Sequence, residues 1–330
     1  MTVNLHRDVV AVGASAGGVE ALRSLVAGLP PGYPGVLLIV LHVARSAPSA
    51  LPAILDRSGP LPAGAAADGE ALRPGHIYVA SSDHHLLLLD GRLRLTRGPA
   101  ENGHRPAIDP LFRSVARAAG PRAAGVVLSG WRDDGASGLA TIAAQGGATI
   151  VQDPEDALCP WMPRAALTRV TPDHVLPAAK MGALLSGMAD MDLPQSHPPN
   201  DRMLEFEVAI TDPRSTLTTD TIAEPAGYGC PSCGGSLFQV ESDPMPRFRC
   251  RIGHAWSPES LLDEQALALE SALWIALRAL EEKSALSRRM AGGRHSGTGV
   301  RLESLADDAE AAAATIRKLI DRLGEHQAPA

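Results

Sequence analysis

The sequence predicts an α/β protein built on a doubly wound, mostly parallel sheet. Two smaller pieces follow it, a compact cysteine-bearing module and an α-helical hairpin. Three observations lead there. Short apolar runs alternate with segments of helical period through the first half of the chain. Cys230, Cys233 and Cys250 cluster after a break rich in proline and polar residues. The last part carries two apolar stripes with heptad-like steps.

The first strand is read at "VVAVGAS" (9–15). The segment "GGVEALRSLVAGLP" (17–30) puts Val19, Leu22, Leu25 and Val26 near helical spacing and stops at Gly28 and Pro30. A second apolar strand, "GVLLIVLH" (35–42), follows Pro34, and "APSALPAILDRSG" (47–59) reads as a helix ending at Gly59. Short strands are expected at "HIYVA", "HLLLL" and "RLRLT", with the whole stretch 76–97 an antiparallel insertion. In "DPLFRSVARAAG" (109–120), Asp109 is expected as helix N-cap with Pro110 at the first position. Strand "AGVVLSG", turn and helix "DDGASGLATIAAQG" and strand "ATIVQD" continue the alternation. Continuous apolar strands alternating with helices imply a parallel sheet covered on both faces.

The composition shifts at "SGMADMDLPQSHPPNDR" (186–202), which reads as linker. Leu262, Ala266, Leu269, Leu273, Ala276 and Leu280 then step by 4, 3, 4, 3 and 4. Leu302, Leu305, Ala309, Ala312, Ile316, Leu319 and Leu323 step by 3, 4, 3, 4, 3 and 4, and "AGGRHSGTG" between the two stripes turns the chain back. Trp274, Ile275 and Leu277 fall off the first stripe and are expected at a surface open to a partner. The domain reading is therefore 1–185 for the α/β domain, 186–226 for the linker, 227–257 for the cysteine module and 258–330 for the helical hairpin.

Composition narrows the function classes. The chain is 45% hydrophobic and 20% charged with net charge −7, and it has no long basic run, which argues against nucleic acid as a partner. The longest aliphatic run, Val36 to Leu41, is far too short to span a membrane. "ASA" after Arg7 resembles a signal-peptide cleavage site, but the apolar segment is too short for one. A cytoplasmic protein is expected, in which a close cysteine cluster suggests metal rather than disulfides.

The functional question centres on Ser15. A phosphate loop would need a Gly-Lys-Ser/Thr ending, which is missing, and Gly13, Gly17 and Gly18 do not have the dinucleotide spacing. As a nucleophile, Ser15 fits better: Gly13-Ala14-Ser15-Ala16-Gly17 is a Gly-x-Ser-x-Gly string, whose small residues allow a sharp turn from strand to helix. A serine needs a base. His42 ends the second strand, and Asp133 and Asp134 follow the "VVLSG" strand. Functional residues of a parallel sheet collect at those ends.

Five segments in order carry a family resemblance: "GASAGGVEALRSLVAGLP", "LHVARSAPSALPAIL", "DGEALRPGHIYVA", "RPAIDPLFRSVA" and "VVLSGWRDDGASGLATI". Together they resemble the catalytic domain of CheB-type chemotaxis protein-glutamate methylesterases over residues 8–185. The resemblance implies a serine hydrolase that cleaves γ-glutamyl methyl esters, and deamidates some glutamines, on chemoreceptors. It places Ser15 as nucleophile, His42 as base, Asp134 as the residue orienting the base, and the Trp131 backbone N–H as oxyanion donor. Departures stand beside it. Ala16 replaces the family's threonine, and Gly130-Trp131-Arg132 replaces its "GMG". The chain also opens at the catalytic strand where the family places a receiver domain, so control by a separate receiver or other chemosensory protein, docked through the C-terminal hairpin, is expected. The competing expectation is a catalytically weak esterase fold that serves as a scaffold for signalling partners.

Cys230-x-x-Cys233 and Cys250-x₃-His254 offer a tetrahedral ligand set, closed and therefore structural, with zinc as the expected ion. Similar segments accompany some receiver-less members of the family. Cys159 lies apart and is expected as a plain thiol.

Overall fold

The computed structural model describes residues 6–46, 49–193, 201–240, 246–292 and 297–325. Part of the predicted linker (194–200), the start of the helix read at 47–59 and part of the Gly-rich turn (293–296) lie outside the described residues. The chain divides into two compact units, Met1–Leu261 and Leu262–Ala330.

The first unit is organised by a seven-stranded sheet. Its strands are β1 (Val9–Ala14), β2 (Val36–Leu41), β3 (Ala63–Ala65), β4 (Ile77–Val79), β7 (Ala123–Val127), β8 (Ala148–Gln152) and β9 (His174–Leu176). They lie in the order β3-β4-β2-β1-β7-β8-β9, all parallel. β5 (His85–Leu89) and β6 (Arg92–Thr96) form a separate antiparallel pair. The sequence reading placed the whole 76–97 stretch in an antiparallel insertion; instead Ile77–Val79 joins the main sheet beside β2, where its three side chains are buried.

The chain winds to one side of β1 through β2 and β4 and to the other through β7, β8 and β9, so the strand order reverses between β1 and β7. A crevice opens outside the carboxyl ends of strands at such a reversal. Every residue of β1 is buried because helices cover both faces. Val10, Val12 and Ala14 enter one core with α1 (Gly18–Ala27), α2 (Leu51–Ser58) and α6 (Ala178–Ala189). Val9 and Ala11 enter the other, with α3 (Ile108–Ala119), α4 (Ala136–Ala144) and α5 (Trp161–Arg169). At Gly13 a Cβ would stand 2.3 Å from the Ile108 side chain, so α3 lies directly on the strand.

The stretch read as linker contains helix α7 (Arg202–Ile210), capped by Asp201, whose carboxylate accepts from the Met203 and Leu204 N–H groups. Leu204, Phe206, Val208 and Ile210 are buried, and so is Glu207, which pairs with Arg247 at 2.6 Å. A four-stranded antiparallel sheet follows: β10 (Glu224–Gly229), β11 (Ser236–Val240), β12 (Arg247–Cys250) and β13 (Ala255–Trp256). These elements belong to the same compact unit as the main sheet, Met1–Leu261. Buried Arg113, Arg247 and Arg249 share the carboxylates of Glu101 and Glu207, and this joins the two sheets.

Helix α8 (Pro258–Ala291) begins in the first unit; its remainder and α9 (Gly297–Glu325) make up the second. Leu277, Ala313 and Ile320 form the second unit's core, with Leu273, Leu280 and Ile316 packed against it. Leu277, expected off the stripe, is therefore in it, whereas Leu262 and Leu269 are exposed. On α9 the buried line runs through Ala309, Ala313 and Ile320 rather than Ala312 and Leu319. A period of 3.6 residues drifts away from a strict seven-residue repeat. Among the described residues no helix is long and apolar enough to cross a membrane.

Candidate active site

Ser15 stands at the carboxyl end of β1, half-buried, one residue beyond the Ala14–Leu41 pair of the β1–β2 ladder. The next pair in that register is Ser15 and His42, and the His42 N–H donates to the Ala14 carbonyl at 3.0 Å. On the other side the Ser15 N–H donates to the Ser129 carbonyl at 2.9 Å, just past β7. The turn after Ser15 closes with Gly18 N–H donating to the Ser15 carbonyl at 2.9 Å. Gly17 there has φ 72°, and a Cβ on it would lie 2.6 Å from Ser129 Oγ and 2.7 Å from Leu158. Both the dihedral and the space demand glycine. Ser129 Oγ donates to the Ala16 carbonyl at 2.7 Å and accepts from Cys159 N–H at 2.9 Å, which fixes the turn from outside. Cys159 thus contributes backbone to the turn, and the residue is a half-buried free cysteine.

His42 Nε2 donates to Asp134 Oδ2 at 2.8 Å, with side-chain exposures of 5% and 1%. That bond puts the proton on Nε2 and leaves the lone pair on Nδ1, which is buried with no hydrogen-bond partner. His104 lies flat over the imidazole at 3.7 Å between ring centroids. Burial, then the nearby His42, lowers the His104 pKa to about 3, so it stays a neutral roof.

Asp134 and Asp109 form a reciprocal pair. Asp134 Oδ2 accepts from Ile108 N–H at 2.7 Å and Oδ1 from Asp109 N–H at 3.3 Å, so the carboxylate sits on the N-terminus of α3. Asp109, inside α3, sends its Oδ1 to Gly135 N–H at 3.1 Å and Gly138 N–H at 2.7 Å, at the start of α4. Asp109 is therefore not the N-cap of its own helix: Ala107 holds that place, and Asp109 caps the neighbouring one. Burial, then the Asp134 charge, raises the Asp109 carboxyl to about 7. Burial acts on Asp134 in the same direction, but the hydrogen bonds it accepts from His42 and from Ile108 N–H outweigh it and hold Asp134 below the usual carboxylate range. Asp133 turns the other way, its Oδ1 accepting from Ser257 Oγ at 2.9 Å and Ser260 Oγ at 2.8 Å.

Trp131 follows Gly130, whose missing Cβ would lie 2.7 Å from Ser15 Cβ. The Trp131 ring stacks on Trp161 at 5.9 Å, and the Arg164 guanidinium lies 5.8 Å above Trp161. Both rings and Leu158 are exposed, which makes an apolar shelf beside the serine turn. Arg132 holds φ 64° on this rim. His104, Asn102, Asp109 and Trp161 were not singled out for the site in the sequence reading, although "ENGHRPAID" holds the first three within one short stretch.

A second cluster joins Cys230, Cys233, Cys250 and His254, whose ligand atoms all lie within 4.8 Å of one another. Two tight turns deliver them. Cys233 N–H and Gly234 N–H donate to the Cys230 carbonyl at 3.3 and 2.8 Å, and Gly253 N–H donates to the Cys250 carbonyl at 2.9 Å. Cys233 Sγ and Cys250 Sγ are 3.7 Å apart, and Cys250 Sγ and His254 Nδ1 are 3.5 Å apart. The cluster can hold a metal ion.

A doubly wound parallel sheet with Ser15 and His42 at neighbouring strand ends beside its order reversal, and Asp134 bonded to His42, defines an α/β protein with its candidate site at the carboxyl edge of the sheet. The model of the CheB methylesterase family matches residues 10–185, just over half of the chain, and the chain belongs to that family. It is 39% identical over 185 residues to protein-glutamate methylesterase/protein-glutamine glutaminase 1 of Xanthomonas campestris pv. campestris, covering 55% of this chain and 51% of that protein. It is 43% identical over 173 residues to protein-glutamate methylesterase/protein-glutamine glutaminase 5 of Anaeromyxobacter dehalogenans, covering 51% of this chain and 48% of that one. The chain thus spans about half the length of the curated relatives it matches. The crystal structure of the Thermotoga maritima CheB methylesterase catalytic domain superposes with a TM-score of 0.53 at 30% identity, over 55% of this chain and 97% of that one.

Proposed function

We propose that the chain is a serine esterase that hydrolyses γ-glutamyl methyl esters on chemoreceptors, with Ser15 as nucleophile, His42 as base and Asp134 as the group that orients it. One observation carries the reading: Asp134 holds the Nε2–H tautomer of His42, and Nδ1 is left buried and unpartnered on the residue that pairs with Ser15 in the β1–β2 register. Ser15 Oγ attacks the ester carbonyl and passes its proton to His42 Nδ1. The tetrahedral oxyanion takes the Trp131 N–H, and the N-terminal end of α1 adds a favourable dipole. Collapse breaks the C–OCH₃ bond, and the imidazolium returns the proton to the departing methoxide, releasing methanol. Water, deprotonated by His42, then cleaves the acyl-enzyme to the glutamate and free Ser15. Asp134 stabilises the imidazolium in both halves without accepting a proton itself. Amide hydrolysis at glutamine runs through the same steps with ammonia leaving, as the names of the relatives suggest.

The apolar shelf of Trp131, Trp161 and Leu158 suits one side of a receptor helix. Zinc is the ion assigned to the Cys/His cluster. Metal–sulfur bonds of about 2.3 Å and metal–nitrogen bonds of about 2.0 Å give tetrahedral edges of roughly 3.8 and 3.5 Å, close to the 3.7 and 3.5 Å separations found. Thiols kept for a metal go with a cytoplasmic location. Exposed Trp274 and Ile275 on α8 support a docking role of the helical hairpin toward a receiver or another chemosensory protein. The test is methanol release from methylated receptor. The wild type should release it and Ser15→Ala should not; equal release by both defeats the assignment of Ser15, and release by neither favours the scaffold reading.

A further inference from the structure

The loop 99–106 lies between the esterase site and the Cys/His hairpin and is bonded to both. On the hairpin side Asn102 N–H donates to the Ala255 carbonyl at 2.8 Å, and Ala255 N–H donates to the Ala100 carbonyl at 3.3 Å. Ala255 is the residue after His254, and Cys250 N–H donates to the His254 carbonyl at 2.9 Å. Arg249, adjacent to Cys250, donates to Glu101 Oε1 at 2.9 Å and to the Gly253 carbonyl at 2.7 Å. The metal-ligand turn and the loop are thus tied by main chain and by a buried ion pair. Glu101 also accepts from Arg113 at 2.6 Å and Arg247 at 3.0 Å.

On the esterase side the Asn102 amide donates to Asp134 Oδ1 at 3.0 Å and to Asp109 Oδ2 at 3.2 Å. Its own Oδ1 accepts from Ser257 N–H at 2.9 Å. These partners fix the amide's orientation, because a flipped amide would aim its oxygen at two carboxylates and its NH₂ at an N–H. Asn102 is 1% exposed and holds φ 50°, a conformation asparagine tolerates better than most side chains. The turn it opens closes on itself, with Glu101 N–H donating to the His104 carbonyl at 3.1 Å and His104 N–H to the Glu101 carbonyl at 2.8 Å. That closure sets the ring that roofs His42.

We infer that Asn102 is a positioning residue through which the Cys/His hairpin sets the geometry of Asp134 and His42, so that metal occupancy of the Cys230–Cys233–Cys250–His254 cluster is transmitted to the serine site. The inference rests on the esterase reading above. It makes the hairpin a control element carried within this chain. An emptied ligand set frees the 250–254 turn. Ala255 and Ser257 then lose their register with Asn102, and Asp134 loses the donor on Oδ1.

The test uses the full-length, metal-loaded protein and two readouts. One is the rate at which a fluorophosphonate labels Ser15. The other is the downfield imidazole proton of the His42–Asp134 bond in the ¹H NMR spectrum. Asn102→Ala should slow labelling about tenfold to a hundredfold, the range for a lost hydrogen bond to a charged group, while metal content stays at the wild-type level. Stripping the metal with a chelator should slow labelling about tenfold in the wild type and shift or broaden the imidazole proton. In Asn102→Ala the same stripping should change labelling less than twofold, because the link is already cut. Equal effects of stripping in both proteins, or an unchanged rate and an unchanged imidazole proton in the stripped wild type, overturn the proposal. If Asn102→Ala does not fold, Cys233→Ser, which alters an exposed ligand far in sequence from Asn102, decides by the imidazole proton. If the wild type is not labelled at Ser15 at all, the esterase reading fails, and the proton resonance alone decides whether hairpin and site are coupled.

Discussion

The serine site and the Cys/His cluster are built in opposite ways. The cluster comes from two local turns, each of which brings two ligands together within five residues of chain. The serine site comes from strand ends and loops far apart in sequence, and it is assembled by the register of a parallel sheet. Local spacing can specify a metal site on its own. The proposed base, His42, needs a tautomer, a partner and a dry surrounding; Asp134, held by Asn102 and the N-terminus of α3, bonds its Nε2, and the His104 ring covers it. The first kind of site can tolerate changes in its surroundings; the second depends on them.

The largest expected effect lies at the serine site. Ser15→Ala and His42→Ala should each lower ester hydrolysis by about 10⁴-fold or more, since triad members act as a unit. Asp134→Asn should fall nearly as far and Asp133→Asn much less, measured as methanol release, because Asp133 is bonded to Ser257 and Ser260 instead of His42. Equal losses at the two aspartates would break the contrast between them.

Next comes the junction. Glu101→Gln should destabilise the first unit by about 3–5 kcal/mol, since it leaves Arg113 and Arg249 buried with a partner removed. Urea unfolding measures it; a loss below about 1 kcal/mol would mean that the two sheets are joined by something else.

A smaller effect concerns acid. His85 is fully buried and neutral, its Nε2 donating to the Pro99 carbonyl at 2.9 Å and its Nδ1 accepting from Ala107 N–H at 3.2 Å. Burial lowers its pKa to about 4 from 6.5. Between those values the unfolded chain takes a proton that the native state refuses, so stability falls as pH drops through the window, by up to about 3 kcal/mol. The stability of His85→Gln should fall less steeply over the same window; an identical slope would assign the acid loss to other groups.

The smallest effect is at the rim. Arg132 holds a left-handed conformation that costs roughly 1 kcal/mol in a residue with a Cβ. Arg132→Gly should raise stability by about that amount in thermal unfolding, and a loss would show that the Arg132 side chain contributes more than its backbone costs.

Much of this was legible in sequence because burial on both faces makes parallel strands read as unbroken apolar runs, as in "VVAVGA" and "VLLIVL". The cysteine spacing was legible for the same local reason that makes its turns tight. Three things were not. Ile77–Val79 is too short to declare which sheet it joins. Helix α7 was missed because it follows directly on a polar, proline-rich stretch and its burial depends on partners distant in sequence, among them Arg247 for Glu207. Asp109 looked like an ordinary cap, and nothing local says that a carboxylate in one helix will cap the next. The apolar stripes of α8 and α9 were legible as helices but not in phase, since Leu277, Ala313 and Ile320 are chosen by contact between two helices and not by a fixed repeat.

The exchange of carboxylates between α3 and α4 has a consequence for how this fold can lose its chemistry. Asp134, the proposed orienting residue, also holds the first N–H groups of α3, so removing it takes away a cap worth roughly 1–2 kcal/mol along with the proposed catalytic role. The Ser15 hydroxyl has no such second duty among the hydrogen bonds of the described residues. A lineage drifting from catalyst to binding platform can drop the serine without structural cost and has every reason to keep the aspartate. A homologue that lacks Ser15 but retains Asp134 would therefore be a scaffold in which the carboxylate survives for its structural role alone.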